Sequence, residues 1–322
     1  MTSINTNIAA MAALQTLQAT NRSMDATQNR ISTGFRVAEA KDNAAYWSIA
    51  TTMRSDNKAL SAVEDSLGLG AAKVDIAYTA LESAIDVVDE IKAKLVAASE
   101  PGVDKTKIQS EISELKKQLQ SIASSASFSG ENWLQNDASV AAGSKDIVAS
   151  FNRDSTGAVS IGTITVDVTA MTLIGTVNET TGVLTKNYHA DGISTPIGDA
   201  TDYVLLDAGA TGTAASGTEI ALTGTTTTLE ISSMIKVVDA ILKDMTNVAA
   251  NLGAAKSRIE LQQNFVSNLT DSISSGIGAL VDADMTEEST RLKALQTQQQ
   301  LGVQALSIAN SSSQAILQLF QN

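Results

Sequence analysis

Apolar residues recur at alternating spacings of three and four along two long segments, and this heptad pattern constrains the fold more than any other feature of the sequence. The segments run from Tyr46 to Ala98 and from Ile231 to Leu280. Such spacing places one apolar stripe along one face of an α-helix, and that stripe has to be covered by another helix. A shorter stripe, from Ile108 to Ile122, predicts a further helix that begins near Asp104. We therefore expect three helices that bury their stripes together in a bundle.

The two long stripes are apolar at nearly every position, and chance is a poor explanation for two stripes of this length. The first stops before Pro101-Gly102, a pair typical of a turn, and the serine-rich stretch 121–129 ends the shorter helix. The first stripe comprises Tyr46, Ile49, Met53, Asp56, Leu60, Val63, Leu67, Gly70, Val74, Ala77, Leu81, Ala84, Val88, Ile91, Leu95 and Ala98. The second comprises Ile231, Met234, Val238, Ile241, Met245, Val248, Leu252, Ala255, Ile259, Gln262, Val266, Leu269, Ile273, Gly276 and Leu280.

The segment between the long stripes has a different composition. From about Val140 to Thr228 the chain is rich in Thr, Gly, Ala and Ser, and Ile164, Val166 and Val168 alternate with polar residues. This alternation predicts a small, mostly β insert, which we interpret as a surface domain that can vary. The predicted fold class is thus mainly α: an elongated, heptad-patterned helical rod with paired terminal helices, a coiled coil, and this β insert.

Both ends of the chain carry further stripes. The N-terminal stripe comprises Ala10, Leu14, Leu17, Asn21, Met24, Gln28 and Ile31. Near the other end, Asp284 is placed to cap a helix, with Glu287 at the position of a capping box. Two neighbouring stripes follow. One comprises Leu292, Leu295, Gln299, Gly302, Leu306, Ala309, Ser313, Ile316 and Phe320, and the other Ala294, Gln298, Leu301, Ala305, Ile308, Ser312, Ala315 and Leu319.

Two adjacent stripes cannot both be covered by one partner helix, and a pair of terminal helices is too thin to fold stably by itself. Other copies of the chain are the simplest source of the missing cover, so we predict a subunit that polymerises through its ends. The alternative is that the ends are disordered in the free monomer. The predicted polymer-core interface comprises Leu14, Leu17, Met24, Ile31, Leu292, Leu295, Leu301, Leu306, Ile308, Ile316, Leu319 and Phe320.

Composition argues against several classes of function. The chain carries 35 acidic and 22 basic residues, a net charge of -13, which argues against nucleic acid and against a polybasic membrane anchor. It has no cysteine, and its one histidine, His189 in a predicted turn, leaves no room for a histidine-based metal site. No apolar run approaches the roughly 18 residues of a membrane span, and the start shows no signal peptide. We expect a structural protein with no cofactor rather than an enzyme.

Short motifs near both ends match a known family. They are Ile4–Asn7, Asn29–Val37 and Ala40–Ala45 at the start, and Asp282–Glu288, Gln298–Gln300 and Ala309-Asn310 at the end. In combination they resemble flagellin, the subunit of the bacterial flagellar filament, over roughly the first 140 and the last 90 residues. The C-terminal motif is similar to that of flagellins from alphaproteobacteria.

The resemblance implies a self-assembled extracellular filament that serves as a propeller for swimming. Residues 1–43 with 281–322 would form an inner coiled-coil tube, 44–139 with 229–280 a helical rod domain, and 140–228 a variable, mostly β surface domain. It also implies export in an unfolded state by the flagellar export apparatus, without a cleaved signal peptide. Further implied partners are an export chaperone and the cap and hook-associated proteins, with no membrane insertion.

The link between the terminal helix and the rod is predicted to be a connector, or spoke, that contains Gly34 and Asp42. The N-terminal stripe ends at Ile31 and the next begins at Tyr46. Between them Gly34 breaks the helical period, and Asp42-Asn43 is a cap signal. In a flagellin-like filament this link would bend when the filament changes its supercoil. An ordinary loop is the alternative interpretation.

Three other identities compete with flagellin. The hook–filament junction protein of the flagellum shares the terminal helices, although the motifs favour flagellin. A proteolytic insert would need a zinc-binding His-Glu-x-x-His helix, which one histidine cannot supply. The third is a soluble coiled-coil scaffold or a secreted pore-forming translocator, which would need a long apolar hairpin for membrane insertion, and the sequence shows none. Separately, flagellins detected by the mammalian innate receptor carry an arginine-rich patch where this chain has Asp89–Val96, a stretch without arginine. Recognition by that receptor is therefore doubtful.

Overall fold

The computed structural model describes residues 7–136, 142–177, 179–190, 201–207 and 217–319, with the side chains of the last helix described as far as Ser311. Most of these residues lie in the helices α1 (Ile8–Thr33), α2 (Ala44–Ala98), α3 (Lys105–Ser125), α4 (Thr228–Val281) and α5 (Met285–Leu319). The helices coincide with the heptad segments. The mainly α fold class, with a small and mostly β insert, is confirmed.

The chain between α3 and α4 contains one long hairpin and several short strands. Strands β4 (Ser144–Arg153) and β5 (Val159–Asp167) pair antiparallel, with a shift in register between Val148 and Ser150. The short strands are β1 (Ser127–Phe128), β2 (Glu131–Asn132), β3 (Gln135–Asn136), β6 (Ile174–Gly175), β7 (Tyr188–His189), β8 (Asp202–Val204) and β9 (Thr218–Glu219). Strand β1 pairs with β2, β3 with β6, and β8 with both β7 and β9. The turn predicted around His189 is therefore wrong, because His189 lies in β7.

Side chains that bind free backbone N–H groups set the starts of the helices. Asn7 caps α1 and Asp104 caps α3, each through its side-chain oxygen. At the start of α4, Thr227 N donates to Glu230 Oε2 at 2.6 Å and Glu230 N donates to Thr227 Oγ1 at 3.2 Å. This reciprocal capping box was not anticipated from the sequence.

The capping box predicted for α5 is only half formed. Asp284 Oδ1 accepts from Thr286 N at 2.8 Å and from Glu287 N at 3.2 Å, and these backbone donors lower the pKa of the Asp284 carboxyl. The Glu287 carboxylate does not complete the box, because it pairs with Arg291 one turn later at 3.1 Å. Asp284 therefore acts as a simple N-cap.

Contacts along the chain divide it into two compact units. Unit 1 contains Met1–Lys58 and Leu269–Asn322, and unit 2 contains Ala59–Asn268. Helices α2 and α4 each contribute residues to both units. The division into three domains proposed from the sequence stays a prediction.

In unit 2 the two long stripes form the core. Every stripe position of α2 from Leu60 to Ala98 is buried, and so is every stripe position of α4 from Ile231 to Ile259. Small and aliphatic side chains fill such seams between helices closely. For this unit the heptads predicted the buried faces of α2 and α4 correctly.

The predicted stripe of α3 is only partly right. Ile112 and Leu119 are buried, but Lys116 is buried with them, whereas Leu115 is only half-buried. The cause is the segment 219–226, which lies along this face of α3 and hydrogen-bonds to it. Lys116 Nζ donates to Ile220 O at 2.5 Å and to Glu219 Oε1 at 2.8 Å, Lys105 Nζ donates to Thr226 O at 2.6 Å, and Gln109 Oε1 accepts from Leu222 N at 2.7 Å.

Candidate assembly interface

The terminal helices α1 and α5 pack against each other within unit 1. Asn7 Nδ2 donates to Ala309 O at 2.9 Å, and Gln299 Nε2 donates to Asn21 Oδ1 at 2.9 Å. Between these contacts, a Cβ on Gly302 would lie 3.1 Å from a Leu17 methyl carbon, so the glycine permits close approach of the helices. The order of these contacts along both helices shows that the pair is antiparallel.

A buried carboxylate holds one end of this pair. Glu288 is buried, and its Oε1 accepts from Arg30 Nη1 of α1 at 3.0 Å and from Arg291 Nη1 at 3.2 Å. Charge-assisted bonds of this kind fix the register of two helices, because breaking one leaves a buried charge unpaired. Toward the other end the pair becomes neutral: residues 1–21 and 294–322 contain no charged side chain.

Helix α1 covers the first of the two stripes predicted on α5. The predicted interface residues Leu292, Leu295 and Leu306 are half-buried in this seam, and so are the predicted residues of α1, namely Leu17, Met24 and Ile31. The seam does not follow the N-terminal stripe throughout. It includes the half-buried Ala13 and the buried Thr27, whereas Leu14 and Gln28 are exposed. The seam keeps the three-and-four alternation of a heptad, but at these two places it uses the residue one position before the predicted one.

The second stripe of α5 is uncovered in the single chain. Leu301 is 59% exposed and Ile308 is 68% exposed, and the predicted interface residue Leu14 of α1 is 45% exposed. Ile316 and Leu319 lie on α5 beyond the last described side chain, and Phe320 lies outside the described residues. The monomer therefore leaves an apolar face on each terminal helix.

Two exposed apolar residues of α1 were missed from the sequence. Ile8 is 70% exposed and Met11 is 63% exposed, and together with Leu14 they form a run with a spacing of three. That spacing was the available signal. It was overlooked because Ile8 precedes Ala10, the first position of the chosen heptad stripe, and Met11 falls between Ala10 and Leu14.

The first positions of the α2 stripe, which belong to unit 1, do not behave as predicted. Tyr46 and Ile49 are exposed. Ala50 is buried instead, in a cluster with Val37, Ile277 and Val281 against which Trp47 and Met53 also pack. Val37 of the connector and Ile277 and Val281 of α4 cluster with Ala50, which lies outside the predicted stripe, and Met53 is the stripe residue of α2 that packs against them.

The predicted connector is a hydrogen-bonded link. Gly34 ends α1 with a left-handed backbone, φ 76°, and its carbonyl accepts from Ala283 N at 2.9 Å. Arg36 N and Val37 N both donate to Val281 O, at 2.7 and 3.2 Å. The connector is thereby attached to the junction between α4 and α5.

Asp42, the second predicted connector residue, shapes the turn before α2. Its Oδ2 accepts from Ala38 N and Glu39 N, each at 3.1 Å. The cap of α2 is the next residue, Asn43, whose Oδ1 accepts from Tyr46 N at 3.1 Å. The structure thus brings Gly34 and Asp42 into one ordered segment, with Gly34 at the end of α1 and Asp42 near the start of α2.

Metal sites and membrane spans are the other functional features that the described ranges could contain. Within them no group of three or more His, Cys, Asp or Glu residues is arranged to hold a metal ion. In the same residues, no helix is long and apolar enough to cross a membrane. His189 Nδ1 lies 2.7 Å from Asp202 Oδ1 in an exposed pair.

Known proteins match both ends and the whole length of the chain. Residues 4–139 match the family model described as the bacterial flagellin N-terminal helical region, and residues 235–320 match the bacterial flagellin C-terminal helical region. "Flagellin C" of Rhizobium meliloti (strain 1021) is 61% identical over 322 residues, with 100% of both chains covered. "Flagellin A" of the same strain is 49% identical over 394 residues, again with 100% of both chains covered.

A relative from another genus gives the same result. "Flagellin" of Brucella melitensis biotype 1 is 47% identical over 324 residues, with 100% of both chains covered. A solved structure of FliC from Burkholderia pseudomallei aligns with 59% of this chain and 99% of that one at 17% identity and a TM-score of 0.34.

Proposed function

This chain belongs to the bacterial flagellin family, and we propose that it polymerises through the uncovered apolar faces of α1 and α5. Family and relatives make it a structural subunit of the extracellular flagellar filament, of the alphaproteobacterial type. The family is a structural one, and we propose that this member has no catalytic role. No observation favours the hook–filament junction protein.

The observation that carries the interface proposal is the exposed apolar face of the terminal pair. Ile8, Met11 and Leu14 on α1, and Leu301 and Ile308 on α5, are large apolar residues left uncovered in one chain. Fully burying one such side chain contributes about 1.5–3 kcal/mol. Because about 1.4 kcal/mol corresponds to a factor of ten in an equilibrium constant, a few of these contacts suffice to drive elongation.

The distribution of charged residues also favours contact between subunits at the terminal helices. A net charge of -13 makes copies of the chain repel each other. The segments 1–21 and 294–322 carry no charged side chain, so bringing them together adds no repulsion and buries no charge. The neutral half of the terminal pair is therefore the part best suited to close contact between subunits.

The remaining roles are proposed from the family resemblance. Residues 1–43 with 281–322 form the assembly core, 44–139 with 229–280 the helical rod domain, and 140–228 the variable surface domain. The subunit is exported by the flagellar export apparatus without a cleaved signal peptide, and it meets a chaperone, the cap and the hook-associated proteins on the way. We propose that the predicted interface residues Leu17, Met24, Ile31, Leu292, Leu295 and Leu306 hold the terminal pair together, and that Ile316, Leu319 and Phe320 contribute to contact between subunits.

A matched pair of isoleucine variants tests the interface. Ile308 on α5 is 68% exposed and Ile161 on β5 is 63% exposed. Ile308→Gln should raise the lowest concentration that supports seeded elongation about tenfold or more, since one buried apolar contact is lost. Ile161→Gln removes the same exposed side chain outside the terminal pair and should leave elongation unchanged. Equal effects in light scattering would show that general surface hydrophobicity, rather than this face, drives assembly.

A further inference from the structure

The chain contains eight methionines, and the seven that lie within the described residues differ in exposure. Met11 on α1 is 63% exposed, and Met285 at the start of α5 is 45% exposed. Met171, Met234 and Met245 are buried, and Met24 and Met53 are half-buried. Within the described residues, Met11 is thus the most exposed methionine.

Met11 also lies where its chemistry matters. It sits between Ile8 and Leu14 on the uncovered apolar face of α1, in a segment whose first charged side chain is Arg22. Met285 differs in this respect, since it is followed by Glu287 and Glu288 in the charged half of the pair. Both methionines are therefore exposed to solvent, but their neighbours differ.

We propose that Met11 is an oxidation site that controls the entry of free subunits into the filament, which rests on the assembly role of this face proposed above. The oxidant is a peroxide, and hydrogen peroxide is the simplest case. The Met11 sulfur attacks one peroxide oxygen, an S–O bond forms and the O–O bond breaks. The leaving hydroxide takes the proton of the transferred hydroxyl and becomes water. The thioether is oxidised to a sulfoxide and the peroxide is reduced.

The sulfoxide opposes assembly because it places a polar acceptor on an apolar face. Burying a polar group without a hydrogen-bond partner is costly, and the surrounding Ile8 and Leu14 side chains offer no donor. Assembly in turn shields the sulfur, so the filament resists the peroxide that disables the free subunit. Enzymatic reduction of methionine sulfoxide restores the thioether and makes the block reversible.

The test uses the full chain and three proteins: the wild type, Met11→Leu and, as matched control, Met285→Leu. Dilute subunits are treated with hydrogen peroxide, the peroxide is removed with catalase, and peptide mass spectrometry measures the sulfoxide at each methionine. Seeded elongation is then followed by light scattering.

We expect Met11 to oxidise at least about tenfold faster than Met171 or Met245. We expect treated wild type and treated Met285→Leu to elongate about tenfold more slowly than before treatment, which corresponds to about 1.4 kcal/mol.

Treated Met11→Leu should keep its untreated rate, and Met11 in preformed filaments should oxidise about tenfold more slowly than in subunits. Treating oxidised wild type with a methionine sulfoxide reductase should restore elongation. The proposal is overturned if Met11 oxidises no faster than the buried methionines, or if treated wild type elongates normally. It is also overturned if treated Met11→Leu slows as the wild type does, or if reduction of the sulfoxide restores nothing. If Ile308→Gln assembles normally before any peroxide is added, the proposed assembly face is wrong. That result is obtained without peroxide and is therefore distinct from a failure of the oxidation proposal.

Discussion

Ile147 of β4 fills the space that a side chain at position 70 of α2 would need, because a Cβ on Gly70 would lie 2.5 Å from Ile147 Cγ2. On α4, Gln262 Nε2 donates to Ala149 O of the same strand at 2.8 Å. Gly70 and Gln262 are the positions within unit 2 where the two long stripes lack an apolar side chain. Both interruptions therefore mark the place where the β4–β5 hairpin docks on the helices.

Two glycines of α2 test this docking. Gly70→Ala should destabilise unit 2 by about 1–3 kcal/mol, because the added methyl group displaces Ile147 or the helix. At Gly68 the nearest atom to an added Cβ is Gln263 Nε2 at 3.9 Å. Gly68→Ala should stabilise the protein by about 0.5–1 kcal/mol, since alanine is favoured over glycine within a helix. Urea unfolding should shift the two midpoints in opposite directions, and a shift in the same direction would contradict the docking.

A second pair of glycines tests the connector. Gly34 and Gly130 have φ values of 76° and 82°, and neither has an atom within 4 Å of an added Cβ. Alanine at either position costs about 1–2 kcal/mol of backbone strain. If the connector bends when the filament changes its supercoil, Gly34→Ala filaments should assemble but be straight or changed in pitch under the electron microscope. Gly130→Ala, in the turn between β1 and β2, should leave filament shape and swimming unchanged. Normal shape with Gly34→Ala would make the connector a simple tether.

Truncation tests the C-terminal end of the interface. Ending the chain at Asn310 removes Ile316, Leu319 and Phe320, each worth about 1.5–3 kcal/mol when buried between subunits. Sedimentation should show no polymer, whereas circular dichroism should show unit 2 melting as in the full chain, because its core lies within residues 59–268. Removing only Gln321 and Asn322, which are polar, should preserve assembly. Normal filaments from the longer truncation would exclude these residues from the interface.

Lys116 gives a prediction about pH. Burial lowers the pKa of its ammonium from the ordinary value of 10.5, although Glu219 and Asp207 act in the opposite direction. Between the two pKa values the unfolded state binds more protons than the folded state, so this residue adds stability as the pH rises toward 10.5. Lys116→Met should remove that gain. Urea unfolding at several alkaline pH values should show wild type gaining stability relative to the variant, and a constant difference would contradict the effect of burial.

The comparison with Lys116→Met is needed because other lysines titrate in the same range. Lys41, Lys94 and Lys256 each have a pKa raised mainly by a hydrogen bond to a nearby carboxylate. The stability that these three lysines contribute is lost as the pH rises through their folded-state pKa values. This pH dependence is opposite to that of Lys116. These lysines are present in both proteins, so their contribution cancels in the difference.

Local sequence patterns were sufficient to predict the helices and most of their ends. The long stripes repeat over many turns, and a period of this kind is a local property of the backbone that distant residues do not alter. Caps such as Asp104 and Asp284 act within one turn, so their positions were also readable. The second stripe of α5, which α1 does not cover, was predicted from the same spacing of apolar residues.

Which segment covers each apolar helix face could be read only from the tertiary structure. A heptad shows that a stripe needs cover but not which segment supplies it, and here the partners are far apart in the chain. Lys116 is buried by Glu219 and Ile220, about a hundred residues later, and Leu14 is exposed because the α1–α5 seam passes through Ala13 and Thr27 rather than through Leu14 and Gln28. From the sequence, Gly70 is only a gap in an apolar stripe. Ile147 fills that gap, and this contact is known only once β4 is placed against α2.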